Sequence, residues 1–99
     1  MTDGERIKEL RIRRGITLDE LGKQLGISKQ AVWNMEKRDN IGMASLRVVA
    51  KALGTHETYL CGLLSEEQAE EFMADQRVFE AYRKASPETK AIIRKILEV

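Results

Sequence analysis

The chain has 99 residues, of which 42% are hydrophobic and 33% are charged, and its formal net charge at pH 7 is +1. A chain of this size forms one compact core, and a single Cys61 with a single His56 excludes both an internal disulfide and a zinc site of Cys and His ligands. Because no apolar run approaches the ~18 residues of a membrane helix and no secretory signal opens the chain, we expect a cytoplasmic protein without metal or other cofactor.

The first predicted helix covers about residues 4–14. Ile7 and Leu10 lie on one face of it, and Gly15 stands where the end of a helix favours a positive φ. Alternating β-branched stretches are absent and Pro87 is the single proline, so the sequence predicts an all-α fold.

The second predicted helix begins at Leu18 with a complete start signal. Thr17 is the cap, and Glu20 three residues later completes a capping box. Gly22 leaves space for the close approach of another element, and Gly26 ends the helix after two turns.

A third helix follows almost at once. Gly26 and Ile27 alone separate the second helix from the next cap, Ser28, and the third helix is predicted over residues 29–37. Two short helices joined by a three- to four-residue turn containing Gly form a helix-turn-helix, whose second helix can enter the major groove of DNA. The spacing predicts such a motif over residues 17–37.

Four more helices are predicted along the rest of the chain. The fourth runs from Leu46 to a stop at Gly54, and the fifth is a short helix over residues 55–63 with Thr55 as its cap. The sixth begins after Ser65, and the seventh follows the Ser-Pro pair at residues 86–87.

The last predicted helix carries an apolar stripe that two helices cannot bury alone. The charge also changes here, because residues 1–64 contain eleven Lys or Arg against eight Asp or Glu, whereas residues 65–99 contain six against eight. The stripe is expected to pack on its own domain or, by preference, on the tail of a second chain as a dimer interface. Its residues are Ile92, Ile93, Ile96 and Leu97.

The chain resembles the Cro and phage-repressor type of helix-turn-helix proteins, the XRE family. This resemblance covers about two thirds of the chain and implies an all-α, five-helix, lambda-repressor-like DNA-binding domain over residues 1–64. A two-helix C-terminal extension over residues 65–99 would follow it. The residues that carry the resemblance are 7–11 (IKELR), 14–17 (RGIT), 21–22 (LG), 25–28 (LGIS), Val32, 35–37 (MEK) and 46–54.

The resemblance also implies which side chains meet DNA. Gln and Asn can pair bidentately with adenine, and Lys can pair with the O6 and N7 atoms of guanine, so the third helix is suited to reading base edges. Trp33 has alternative uses, against a thymine methyl or sugar, a neighbouring loop, or a partner protein. The implied base contacts are Lys29, Gln30, Trp33 and Asn34, and the implied phosphate contacts are Thr17, Ser28, Lys37 and Arg38.

Other matched positions are structural in the family. Val32 and Met35 match buried positions, and Arg11 and Glu36 match a pair that the family joins as a structural ion pair. Two features depart from the family pattern: Leu18 stands where Gln often touches a phosphate, and the loop at residues 37–42 (KRDNIG) lacks the usual proline.

These patterns predict a sequence-specific regulator that binds double-stranded DNA, and they favour a repressor acting as a homodimer on a palindromic operator. The alternative is an antitoxin or other protein-interaction module whose tail, residues 65–99, binds a partner protein. No Ser-His-Asp or Cys-His set, glycine-rich phosphate loop or carboxylate cluster around His56 points to catalysis, so an enzyme is not expected.

Overall fold

The structure is a computed structural model that describes residues 1–98. Within these residues all regular structure is helical, which confirms the all-α prediction. No described helix is long and apolar enough to cross a membrane. The helices are α1 Asp3–Arg13, α2 Leu18–Leu25, α3 Lys29–Glu36, α4 Met43–Leu53, α5 Glu57–Leu60, α6 Glu66–Lys84 and α7 Pro87–Leu97.

Helices α1 to α5 surround one hydrophobic core. Each of the five contributes at least one side chain that is almost fully buried, and each such burial contributes about 1.5–3 kcal/mol. The largest of these side chains are Ile7, Leu10, Leu21, Val32, Leu46, Leu53 and Leu60.

A buried ion pair joins α1 to α3 inside this core. The Arg11 Nε donates to Glu36 Oε2 at 2.7 Å, and Nη2 donates to Oε1 at 3.1 Å. A third guanidinium nitrogen donates to the backbone carbonyl of Ile16 at 2.9 Å. The predicted structural ion pair is confirmed, and it fixes the C-terminal end of α3 against α1.

The predicted starts of α4 and α5 differ from those in the structure. Helix α4 begins at Met43 rather than Leu46, because Gly42 takes the N-cap position with φ −57° and ψ 144°. Helix α5 is capped by His56 and not by Thr55. The Thr55 N–H donates to the Ala50 carbonyl at 2.9 Å and closes the left-handed end of α4, so Thr55 still belongs to the end of that helix.

Helix α5 is also shorter than the predicted residues 55–63, since a turn at Gly62 with φ 83° follows it. It is tied to α4 by Arg47, whose Nε lies 3.1 Å from Glu57 Oε1. Burial raises the pKa of Glu57, but hydrogen bonds from its own backbone N–H and from Arg47 outweigh burial and hold that pKa below its usual 4.5.

The last two helices extend away from the core. The radius of gyration is 17.4 Å, against about 13 Å for a compact chain of this length, and the molecule measures 53 × 25 × 23 Å. Ala69 is the one residue of α6 that is buried, and α7 buries none. In a single chain the apolar stripe of α7 therefore does not add to the core.

Specific contacts hold the tail where it leaves the domain. Glu66 pairs with Arg13 at 2.9 Å and with Arg14 at 3.6 Å, and the Phe72 ring meets the His56 ring edge-on at 5.0 Å. These contacts fix the direction in which α6 departs from α1 and α5.

Candidate nucleic-acid interface

The turn between α2 and α3 is short and internally bonded. Gly26 adopts φ 72°, and the Ile27 N–H donates to the Gly22 carbonyl at 2.9 Å, which ends α2. A Cβ on Gly22 would lie 2.7 Å from the Ile27 carbonyl oxygen, so this glycine lets the turn pack directly on α2. Ser28 then starts α3, and the helix-turn-helix geometry expected from the spacing is present.

Helix α3 has a buried face and an exposed face. Val32, Met35 and Glu36 are buried, which confirms the two apolar positions expected to face the core. The opposite face holds the four predicted base-contacting side chains, all exposed: Lys29, Gln30, Trp33 and Asn34.

Two amides on this exposed face meet each other. Gln30 Nε2 donates to Asn34 Oδ1 at 3.4 Å, as residues one helical turn apart can. The contact leaves the side-chain oxygen of Gln30 (Oε1) and the side-chain NH₂ group of Asn34 (Nδ2) free for other hydrogen bonds. The pair thus presents both an acceptor and a donor to whatever approaches α3.

Trp33 contacts the first residue after α3. The Lys37 Nζ lies 3.1 Å from the centre of the Trp33 ring, and 42% of Trp33 remains exposed. The structure therefore brings one predicted base-contacting residue together with one predicted phosphate-contacting residue. Arg38 is exposed beside them, so two cations flank the end of α3.

The predicted phosphate contacts Thr17 and Ser28 lie at the N-termini of α2 and α3. The Thr17 hydroxyl oxygen accepts the Glu20 N–H at 3.0 Å, and the Ser28 hydroxyl oxygen accepts the Ala31 N–H at 3.1 Å. Both residues are exposed, and each hydroxyl proton stays available for an outside acceptor. The positive end of the α3 dipole favours an anion, whereas Asp19 and Glu20 in the first turn of α2 offset the same effect there.

The loop at residues 37–42 is held by the start of α1, a connection that sequence reasoning missed. The backbone N–H groups of Asp3 and Gly4 donate to the carbonyls of Asp39 and Arg38, each at 3.1 Å. The Asp3 carboxylate in turn accepts the Ile41 N–H at 2.9 Å. The available signal was Gly4 in the first turn of a helix, where glycine is unfavourable unless close packing requires it.

A second feature missed from the sequence is the start of α4. Helix α4 is the one helix within residues 1–98 that begins without a side-chain cap. The first-turn residues Met43, Ala44 and Ser45 are exposed, and N–H groups at an uncapped helix start can bind anions such as phosphate. They follow directly after the loop that carries Lys37 and Arg38.

Metal ligands are not grouped in the part of the chain that the structure describes. Residues 1–98 contain no cluster of three or more His, Cys, Asp or Glu side chains that could hold a metal ion.

A family model described as "Helix-turn-helix" matches residues 7–60, which is more than half of the chain. The chain is also similar to the immunity repressor protein of Bacillus phage phi105, with 36% identity over 74 residues. That alignment covers 71% of this chain and 51% of the relative, so the chain spans about half the length of the curated relative it matches. No solved structure matches the chain.

Proposed function

The chain belongs to the Cro and phage-repressor (XRE) type of helix-turn-helix proteins, and from this premise we propose that it is a transcriptional repressor that binds double-stranded DNA. The observation that carries the proposal is that α3 has one face buried in the core and the opposite face exposed. Its inner face is anchored by Val32, Met35 and Glu36, and its outer face is exposed along its length. A helix held in this way can enter a major groove without rearrangement of the domain.

We assign base reading to the outer face of α3. Gln30 and Asn34 carry amides that match the N6 and N7 edge of adenine, and Lys29 matches the O6 and N7 edge of guanine. Trp33, half exposed beside them, offers an apolar surface to a thymine methyl group. These four side chains would determine which sequence is bound.

We assign phosphate binding to the groups around α3. Thr17 and Ser28 supply hydroxyl donors at two helix N-termini, and Lys37 and Arg38 supply positive charge after α3. Contacts of this kind fix the register of the protein on the duplex but carry no base information.

We further propose that residues 1–64 form the DNA-binding domain and that residues 65–99 make the protein a homodimer. Support comes from the tail, which leaves Ile96 74% exposed and Leu97 64% exposed in a single chain. A two-fold dimer places two copies of α3 about one turn of DNA apart, so the operator would be a palindrome. In this proposal the protein is a regulator rather than an enzyme, and it acts in the cytoplasm.

Selection of bound duplexes from a random pool at moderate salt tests this function. Enrichment of a palindrome with half-site centres about 10 base pairs apart is the expected result. Weak retention without any enriched sequence, lost steeply as salt rises, would leave only nonspecific phosphate binding and would contradict the proposal. In that case a protein partner of the tail, as in an antitoxin, becomes the better function.

A further inference from the structure

We propose that two copies of this chain pair their tails antiparallel, with the basic end of each tail lying on the acidic start of the other. This inference rests on the proposed homodimer and adds the orientation and the residues of the interface. We call residues 65–76 the proximal segment and residues 77–98 the distal segment.

The two segments carry opposite charge. The proximal segment contains five Asp or Glu and no Lys or Arg, whereas the distal segment contains six Lys or Arg and three Asp or Glu. The whole tail has six Lys or Arg against eight Asp or Glu, a net charge of only −2, so the separation becomes clear when the tail is divided. An interface between such tails is attractive in one orientation and repulsive in the other.

Many of these charges have no partner within residues 1–98. Glu66 forms ion pairs with Arg13 and Arg14, and Arg83 and Lys84 both form ion pairs with Glu80. The other acidic side chains of the proximal segment and the other basic side chains of the distal segment have no opposite charge within ion-pair distance among the described residues. They are the four acids Glu67, Glu70, Glu71 and Asp75 and the four bases Arg77, Lys90, Arg94 and Lys95.

An apolar groove adjoins these charges. It lies between α6 and α7, has a volume of about 610 Å³, and begins at Asp75. Glu67 and Glu71 precede Asp75 at intervals of four residues, so one row on α6 leads from the acidic side chains into the groove. The apolar groove residues are Val78, Phe79, Ala81, Tyr82, Ala85, Ile93 and Leu97.

Two polar contacts at Tyr82 join α7 to α6 beside this groove. Arg94 Nε donates to the Tyr82 hydroxyl oxygen at 2.7 Å, and Lys90 Nζ lies 5.7 Å from the centre of the same ring. Ile92 and Ile96 remain 60% and 74% exposed on the outer side of α7. The distal segment therefore carries apolar and basic groups side by side on its surface.

A second copy of this chain fits these features because the same tail supplies both halves of the contact. In a two-fold interface each contact occurs twice, so an antiparallel pair joins the proximal segment of each copy to the distal segment of the other. A parallel pair would set acid against acid and base against base, which disfavours it. The charge pattern therefore favours a second copy of the chain as the partner and an antiparallel arrangement of the two tails.

Charge reversal in the full chain tests the orientation. One variant reverses the proximal segment (Glu67→Lys with Glu71→Lys), and another reverses the distal segment (Lys90→Glu with Lys95→Glu). A third variant combines all four changes and serves as the matched control for folding. Sedimentation of each at low salt measures the dissociation constant of the dimer.

We expect each half-reversed variant to dimerise roughly tenfold to a hundredfold more weakly than the unchanged chain, and the fully reversed variant to recover to within about threefold. Half-reversed variants that dimerise as well as the unchanged chain, or a fully reversed variant that fails to recover, would overturn the antiparallel pairing and leave the homodimer standing. An unchanged chain that sediments as a monomer would overturn the pairing and the homodimer together. Enrichment of any specific sequence in the duplex selection reports separately on whether the chain binds DNA.

Discussion

The ammonium group of Lys37 lies 3.1 Å from the centre of the Trp33 ring, at the C-terminal end of α3. This contact holds the cation close to the proposed base-reading face, although Lys37 itself lies outside the helix. A cation over the face of a Trp ring gains about 0.5–1 kcal/mol at an exposed site, enough to favour one position of a flexible side chain.

Replacement of Lys37 should reveal its role as a phosphate contact. We expect Lys37→Ala to weaken binding to all duplexes alike and to reduce the slope of log affinity against log salt by about 0.9. Fluorescence titrations over a range of salt concentrations measure this slope. Lys51→Ala, which removes an exposed lysine from the last turn of α4, is the matched control, and an equal change of slope in both variants would contradict the assignment.

The amide pair on α3 gives a prediction about specificity. Gln30→Ala and Asn34→Ala should each cost about 1–3 kcal/mol on the selected operator and relax the preference at one base position, with little effect on nonspecific binding. Gln24→Ala changes the same type of side chain at an exposed position of α2 and should leave the preference intact. Selection with each variant provides the measurement, and unchanged base preferences would show that these amides do not read bases.

Local chemistry explains why so much of the domain could be predicted from sequence. The caps Thr17, Ser28 and Ser65 and the helix end at Gly26 depend on residues within one or two turns, and each stands where it was expected. The cap of α5 was misplaced because the Thr55 N–H donates to the Ala50 carbonyl, so Thr55 belongs to the turn that closes α4.

Long-range packing explains what could not be predicted. The loop at residues 37–42 takes its position from Asp3 and Gly4, more than thirty residues earlier, and Gly4 by itself does not indicate which segment packs against it. The apolar stripe of α7 was visible in the sequence, but periodicity alone does not say which surface covers such a stripe. Its exposure emerges only when α6 is seen to leave the core.

The buried ion pair between Arg11 and Glu36 should be essential for stability. Glu36→Ala leaves the guanidinium buried without its carboxylate, which we expect to cost about 3–5 kcal/mol of the free energy of unfolding. Urea denaturation followed by circular dichroism measures this loss. Arg47→Ala removes an ion pair whose Arg side chain is 65% exposed, and it should cost at most about 1 kcal/mol.

A double replacement tests whether the unpaired charge of Arg11 causes the loss of stability in Glu36→Ala. Arg11→Met combined with Glu36→Leu removes both charges and should recover much of the stability lost in Glu36→Ala, since two apolar side chains then fill the space. A double variant as unstable as the single one would show that the geometry of the pair, rather than an unpaired buried charge, accounts for the loss.

The exposed stripe of α7 gives a prediction about assembly. Ile96→Asp places a charge on the outer face of α7, and we expect it to convert the dimer to a monomer because the charge would have to be buried in the interface. Sedimentation at micromolar concentration measures the change. Ile12→Asp introduces the same substitution on α1, at a side chain that is 57% exposed, and should leave the dimer intact.

The close packing of α1 on the loop after α3 gives the last prediction. A Cβ on Gly4 would collide with the backbone carbonyl oxygens of Glu36 and Arg38, and these backbone atoms cannot move without breaking the bonds that hold the loop. We expect Gly4→Ala to lower the free energy of unfolding by about 1–3 kcal/mol. Gly42→Ala is the control, because nothing lies within 4 Å of its Cβ position and its φ of −57° suits any residue.

The same substitution should weaken DNA binding more than its effect on stability explains, because the loop carries Arg38 and leads into the uncapped start of α4. Binding is measured at a temperature where the Gly4→Ala variant remains fully folded, so that any loss reports on the position of the loop. Full affinity of the folded variant would show that phosphate binding does not depend on how α1 holds residues 37–42.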